Sequence, residues 1–126
     1  MTLEGMTTFE EKMKGVNPNT VEGYMQMQVV FAGDRPSMAA FVLANGRRFT
    51  PAKRPRGVRK QAYKECYSNS GMEALMNDKY TYVEGYARAE MGIVMEHAWL
   101  VDKDGVVLDL TWKNPEVCEY FGVPFN

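Results

Sequence analysis

Three residues in the second half of the chain could together carry out nucleophilic chemistry: Cys66, His97 and Asp109. A thiolate attacks carbonyl carbon, and a neighbouring imidazole can take the thiol proton. A carboxylate bonded to one imidazole nitrogen fixes the tautomer and leaves the other nitrogen free as a base. His97 is the only histidine in the chain. The three residue types in this order therefore predict a cysteine nucleophile with His97 as its base and Asp109 as the group that orients it.

Residues 97–112 must bring the imidazole and the carboxylate together. They alternate like two half-buried strands, and residues 102–105, Asp-Lys-Asp-Gly, suit a type I turn followed by a left-handed glycine. In that register His97 and Asp109 are diagonal neighbours on one face, roughly 7–8 Å apart at the backbone. A two-residue loop at Asp104-Gly105 would place them on opposite faces. The turn chemistry favours the first register.

The nucleophile is predicted to lie at the start of a helix. Met72, Leu75 and Met76 form an apolar stripe at helical spacing within residues 66–78. The dipole and free amides at a helix N-terminus favour a thiolate over a thiol. Residues 80–88 then read as a strand, in which Gly85 indicates a bulge or the close approach of another backbone. We expect an α+β fold in which the cysteine-bearing helix packs on a small antiparallel sheet.

This ordered set of segments resembles the transglutaminase-like branch of the papain-like cysteine fold. The motifs that carry the resemblance are Cys66 opening a helix, the Gly85-Tyr86 pair, His97-Ala98-Trp99, and Asp109 followed by Thr111-Trp112. The resemblance covers about residues 61–112, and Leu110 stands where the family usually has proline. It implies a cofactor-free hydrolase or acyltransferase that acts on an amide, ester or thioester. The chain is also similar to small uncharacterised phage-type proteins that end in Tyr-Phe-Gly-Val-Pro, here residues 120–124.

Attack on a carbonyl creates an oxyanion, which needs hydrogen-bond donors. The backbone amide of Cys66 is one candidate. Gln61 is a second, because papain-like enzymes place a glutamine shortly before the cysteine, and Asn69 is an alternative. Trp99 shares the face of His97 in the favoured register, where it either walls the site or belongs to the core.

A basic stretch leads to the cysteine. Residues 47–64 hold eight of the fifteen lysines and arginines of the chain and no acid. Prolines and a glycine within it forbid a continuous helix, which predicts an extended arm. The arm is either a solvated loop or an anion-binding rim for a phosphate-bearing or acidic ligand. The candidate anion-binding residues are Arg54, Arg56, Arg59 and Lys60.

These features define two competing functions. The first is the cysteine hydrolase or acyltransferase, with a small-molecule or peptide substrate. The second is a non-catalytic protein that sequesters an anionic small molecule or blocks a host protein.

Composition narrows the class of protein. A length of 126 residues with 45% hydrophobic and 25% charged residues is typical of one globular domain. We divide it into residues 1–60, the core at 61–112 and a C-terminal cap at 113–126.

A net charge of −1 argues against nucleic-acid binding. No apolar run is long enough to span a membrane, and one histidine with two distant cysteines lacks metal-ligand spacing. A reduced, cytoplasmic environment is expected.

The remaining elements are predicted from local patterns. A short helix is expected over residues 8–14. Residues 24–31 favour a strand, with a helix capped by Thr20 as the alternative, and residues 38–44 are compatible with either. After Trp112 we expect a short helix that reaches Tyr120, followed by an extended tail.

Overall fold

Helices occupy the first part of the chain and strands dominate the second. The computed structural model describes residues 9–61 and 66–125. A short helical segment at residues 9–13 precedes the helices α1 (Val21–Ala32), α2 (Met38–Asn45) and α3 (Cys66–Met76), and a 3-10 turn lies at Pro115–Val117. The strands are β1 (Arg47–Phe49), β2 (Thr81–Arg88), β3 (Val94–Val101), β4 (Val107–Leu108) and β5 (Glu119–Phe125). The α+β class is therefore confirmed.

The strands form one five-stranded sheet in the order β1-β5-β2-β3-β4, with every neighbouring pair antiparallel. Beyond β1, Thr50 forms a parallel bridge with Val106, which precedes β4. The Thr50 amide donates to the Gly105 carbonyl at 3.0 Å, and the Val107 amide donates to the Thr50 carbonyl at 2.9 Å. Since β1 and β4 lie at opposite edges of the sheet, this bridge curls the sheet until its edges meet.

The centre of the sheet contains the close backbone approach that Gly85 predicted. Gly85 on β2 pairs with Gly122 on β5. A Cβ atom at Gly85 would lie 2.2 Å from the Phe121 carbonyl oxygen and 2.4 Å from the Gly122 Cα. The close approach of β2 and β5, and not a turn, is therefore the reason for glycine at both positions.

Apolar side chains pack on both faces of the curled sheet. The inner cluster consists of Phe49, Val83, Ala87, Trp99, Val101, Val107, Cys118 and Tyr120. Helices α1 and α2 cover β2 and β5 through Val21, Met25, Ala39, Val42 and Tyr86. Helix α3 packs on β2 and β3, and its Ala74 contacts the cluster of Leu100, Leu108 and Leu110. The predicted packing of the cysteine-bearing helix on an antiparallel sheet is thus confirmed.

The N-terminal half shows where local patterns mislead. The strand favoured for residues 24–31 is wrong, because this segment belongs to helix α1. Thr20 caps the helix by accepting a hydrogen bond from the Gly23 amide at 3.0 Å. Val21 and Met25, four residues apart, are both fully buried, so a helical stripe determines the structure rather than the short alternation. Residues 38–44, which were compatible with either structure, are helical, and residues 9–13 are helical as predicted.

The C-terminal segment also differs from its prediction. The helix expected to reach Tyr120 ends at Val117, and the expected tail forms β5 between β1 and β2. Tyr120 is 1% exposed. Pairing with two strands from earlier parts of the chain fixes this segment, which its glycine and proline would locally disfavour as a strand. Within residues 9–61 and 66–125, no helix has the length and apolar character needed to cross a bilayer.

Candidate active site

The β3–β4 hairpin has the predicted turn and register. Gly105 is left-handed with φ of 76°, and its amide donates to the Asp102 carbonyl at 3.1 Å. Leu100 pairs with Leu108 and Val101 with Val107, which confirms the three-residue loop. The strand pairing stops at Leu108, so Asp109 is not the diagonal neighbour of His97 within the sheet that the register predicted.

Asp109 leaves the sheet and begins a tight turn around its own side chain. Its Oδ1 accepts the amides of Thr111 at 2.9 Å and Trp112 at 3.1 Å. Its Oδ2 lies 2.8 Å from Nε2 of His97 and accepts the hydroxyl of Tyr120 at 2.7 Å. The carboxylate is fully buried, and these four hydrogen bonds compensate its loss of hydration. The predicted contact between His97 and Asp109 is confirmed.

The imidazole of His97 lies between the acid and the thiol. The ring is 2% exposed, and Trp112 stacks on it with centroids 3.9 Å apart and planes 14° apart. Cys66 is 8% exposed, and its thiol lies close enough to His97 to raise the pKa of the imidazole. Because Nε2 faces Asp109, Nδ1 is the nitrogen that remains for the thiol. The structure thus brings all three predicted residues together at one imidazole, with Asp109 hydrogen-bonded to it and Cys66 beside it.

The charges and hydrogen bonds around His97 favour an ion pair between its imidazolium and the Asp109 carboxylate. Burial lowers the pKa of His97, but the hydrogen bonds and charges of Asp109 and Cys66 outweigh burial and raise this pKa above its ordinary value. Burial raises the pKa of Asp109, yet the hydrogen bonds from His97, Tyr120 and Thr111 hold it below its usual range. Asp109 therefore stays a carboxylate, to which His97 donates.

Two further residues of the inner cluster respond to the same charge. Burial and the Asp109 carboxylate raise the pKa of Tyr120, which keeps its hydroxyl protonated as a donor. Burial, and then the same carboxylate, raises the pKa of Cys118 to about 11. The thiol of Cys118 is therefore inert at neutral pH.

Arg54 holds the segment that carries the acid. Its Nη1 donates to the carbonyls of Asp109, at 3.1 Å, and Trp112, and its Nη2 donates to the carbonyl of Lys113 at 3.3 Å. A planar guanidinium can serve several carbonyls at once. Arg54 thus fixes the loop of residues 109–113 from the basic arm, whereas its predicted role in anion binding stays a prediction.

The other predicted oxyanion and wall residues surround the same loop. Asn69 is buried and its Nδ2 donates to Oγ1 of Thr111 at 3.0 Å, which ties α3 to the loop. The backbone amide of Gln61 donates to the Leu110 carbonyl, and its side chain is exposed. Trp99 is fully buried in the inner cluster, so it is a core residue and not the wall of an open site.

Residues 51–61 of the basic arm form no continuous helix, as predicted, but the chain turns within them, where the Val58 amide donates to the Pro55 carbonyl at 3.1 Å. Residues 62–64 of the arm lie outside the described residues. Arg56, Arg59 and Lys60 are exposed. A cleft of about 250 Å³ is lined by four cations and one acid: Lys53, Arg54, Arg56, Lys113 and Glu116. Cations thus outnumber acids in this cleft. Among the residues that the structure describes, no three His, Cys, Asp or Glu side chains are grouped as metal ligands would be.

No match was found. Comparison of the chain with protein-family models, with curated proteins and with solved structures gives no significant similarity. The functional assignment therefore depends on the contacts of the site itself.

Sequence reasoning missed Tyr120 as a site residue, and it named Trp112 and Arg54 without the roles that the structure gives them. Tyr120 reaches Asp109 only because β5 lies inside the sheet, and no local signal indicates that position. Trp112 stacks on His97 because the chain turns at Asp109. The signal that was available was the Asp-Leu-Thr-Trp run itself, since an aspartate accepting amides two and three residues later is a common turn.

Proposed function

We propose that this chain is a transglutaminase-like cysteine hydrolase or acyltransferase that acts on an amide, ester or thioester. Cys66 is the nucleophile, His97 its base and Asp109 the group that orients His97. The observation that supports this most strongly is the chain of contacts at one imidazole. Asp109 Oδ2 lies 2.8 Å from Nε2, and Cys66 lies close enough to the same ring to raise its pKa.

In the first step, His97 takes the thiol proton and the Cys66 sulfur attacks the carbonyl carbon. The C–S bond forms while the carbonyl π electrons move to oxygen. When the oxyanion collapses, the bond to the leaving amine, alcohol or thiol breaks, and the imidazolium of His97 returns the proton to that group. The product is a thioester on Cys66.

In the second step, water or an amine attacks the thioester carbonyl and His97 accepts its proton. Collapse breaks the C–S bond, and the sulfur leaves as the thiolate, paired again with imidazolium. Water gives hydrolysis, and an amine gives acyl transfer.

The buried network supports both steps. A carboxylate at Nε2 stabilises the imidazolium that forms when Cys66 ionises. Trp112, stacked at 3.9 Å, covers the ring and adds the attraction of an aromatic face for a cation. The raised pKa of His97 supports a resting thiolate–imidazolium pair.

The proposed mechanism also requires hydrogen-bond donors that stabilise the oxyanion. The backbone amide of Cys66 is adjacent to the sulfur. The Asn69 amide lies one helical turn further along α3, and Gln61 approaches through its backbone contact with Leu110. Removal of an oxyanion donor lowers turnover by about 10²–10³.

We propose the corresponding fold assignment as well. The chain has the segment order of a papain-like core. A helix begins with the cysteine, an antiparallel β2–β3 pair follows with the histidine on β3, and the aspartate lies just past β4. The order of the segments and their packing support this assignment.

The direct test is capture of the thioester. Wild-type protein mixed with p-nitrophenyl acetate should release a rapid burst of p-nitrophenol, and mass spectrometry should find one acetyl group on Cys66. Cys66→Ser should abolish the burst and His97→Asn should slow it by at least about a hundredfold, whereas Cys118→Ser should retain it. Acetylation of both cysteines at similar slow rates would contradict the enzyme.

The second candidate function is a binder of an anionic small molecule. The excess of cations in the cleft of Lys53, Arg56 and Lys113 favours it. In that case phosphate-bearing ligands bind and protect the protein from heat, while Cys66 is never acylated. Arg56→Glu would weaken that binding in either case, so acylation of Cys66 separates the two functions.

A further inference from the structure

The turn between β2 and β3 exposes an apolar surface. Met91 is 86% exposed, Ile93 54% and Met95 39%. These side chains line a groove of about 280 Å³ that Ala89, Trp112 and Cys118 complete. A continuous exposed apolar groove of this kind is more typical of a binding surface than isolated apolar residues are, and its volume approaches that of small-molecule sites.

The groove is next to the candidate active site. Trp112 forms one of its walls and also stacks on His97 at 3.9 Å. Met95 lies two residues before His97 on β3, so the two side chains project from the same face of the strand. A molecule that lies in the groove therefore contacts Trp112, the side chain that stacks on His97.

Positive charge lies along one side of the groove. Lys60 and Lys113 line it, and Lys113 and Asn114 also line the cleft of Lys53, Arg54 and Arg56. The groove and the basic cleft therefore share a wall. The acids nearby are Glu90, which accepts a hydrogen bond from Asn114 at 2.8 Å, and Glu116. The combined lining of the groove and the cleft thus holds five cations and two acids.

We infer that the groove and the cleft together bind an amphipathic anion. An apolar acyl or aryl chain lies in the groove against Trp112 and Ile93, and a phosphate or carboxylate group lies in the cleft beside Lys113. Charge complementarity selects the anionic head, and apolar burial selects the chain. That this ligand is the substrate rests on the proposed function. That it binds does not.

The test uses short alkyl phosphates and follows tryptophan fluorescence, since Trp112 is partly exposed whereas Trp99 is fully buried. Octyl phosphate, kept below its micelle concentration, should bind at least about tenfold more tightly than ethyl phosphate because its chain fills the groove. Octyltrimethylammonium should bind at least about tenfold more weakly than octyl phosphate, and the difference should shrink in high salt.

Two pairs of matched variants test the two halves of the surface. Ile93→Asp should remove the preference for the long chain, while Phe41→Asp, which alters a side chain of similar exposure, 53% against 54%, should not. Lys113→Glu should weaken the binding of octyl phosphate at least about fivefold and should leave the preference for octyl over ethyl phosphate intact. Lys103→Glu, in the β3–β4 turn, should change neither.

Three results would overturn the inference. The first is equal affinity for ethyl phosphate and octyl phosphate, and the second is equal affinity for octyl phosphate and octyltrimethylammonium. The third is self-association of the chain that Ile93→Asp abolishes, which would assign the groove to a second copy. Octyl phosphate binding to Cys66→Ser separates the ligand from the chemistry. Binding without any acylation of wild-type Cys66 would contradict the enzyme alone, whereas acylation without binding would contradict this inference alone.

Discussion

At the residue scale, the ionisation of Asp109 determines what His97 can do. A buried carboxylate is costly unless donors surround it, and here His97, Tyr120 and two backbone amides do so. The same charge has the opposite effect on the neighbouring thiol of Cys118, because it adds to burial in raising the pKa of that thiol to about 11. One acid thus favours the charged form of its base and the neutral form of the second cysteine.

This pairing predicts how Asp109→Asn changes the free energy of unfolding with pH. The pKa of Asp109 is lowered, so its contribution is present above the ordinary value of about 4 and is lost as pH falls through the folded-state pKa. The pKa of His97 is raised, so its contribution is complete below about 6.5 and is lost as pH rises through the folded-state pKa. Asp109→Asn should therefore destabilise most between about pH 4 and 6.5, by about 3–5 kcal/mol.

Urea unfolding at closely spaced pH values measures this loss. Above the folded-state pKa of His97 the difference between wild type and Asp109→Asn should decrease, since only the neutral hydrogen bond remains. A difference that is constant from pH 4 to 9 would show that the His97–Asp109 pair is not ionised in the folded protein.

At the element scale, the loop of residues 109–113 joins structures that are distant in sequence. Arg54 holds it from the basic arm, Asn69 holds it from α3, and the Asp109 side chain holds it internally. The β3–β4 turn next to it could be predicted because Asp-Lys-Asp-Gly encodes a local structure. The loop itself could not, since its main partner lies 55 or more residues away in sequence.

Replacing Arg54 tests this positioning role. Arg54→Met removes donors to three carbonyls and should reduce the free energy of unfolding by about 2–3 kcal/mol. Arg54→Lys should restore only part of it, because an ammonium cannot span three acceptors as a planar guanidinium does. Arg56→Met, an exposed neighbour, should change it by less than about 0.5 kcal/mol. The rate of acyl transfer from p-nitrophenyl acetate should fall in Arg54→Met and recover partly in Arg54→Lys; equal effects of Arg54→Met and Arg56→Met would contradict the role.

At the scale of the whole molecule, the site depends on a sheet that closes on itself. The Thr50–Val106 bridge brings the sheet edges together, and β5 places Tyr120 against Asp109. The cysteine helix, β2, β3 and the hairpin register could be predicted, because each follows from a local pattern of apolar residues and turn residues. β5 could not, since the partners that stabilise it are supplied by distant segments. Helix α1 was predicted only as the alternative to a strand, because the alternation of residues 24–31 competes with its helical stripe.

The central claim is that the thiol, the imidazole and the carboxylate converge to activate one cysteine. Cys118 is an internal control, since Cys66 and Cys118 are similarly buried at 8% and 4%, but Cys66 and not Cys118 raises the pKa of the imidazole. The most direct measurement is the rate of iodoacetamide alkylation at each cysteine from pH 5 to 9, read by peptide mass spectrometry. We expect Cys66 to react at least about tenfold faster than Cys118 at pH 7, and His97→Asn to remove that advantage. Similar slow rates at both cysteines, or a Cys66 rate that His97→Asn leaves unchanged, would contradict the account.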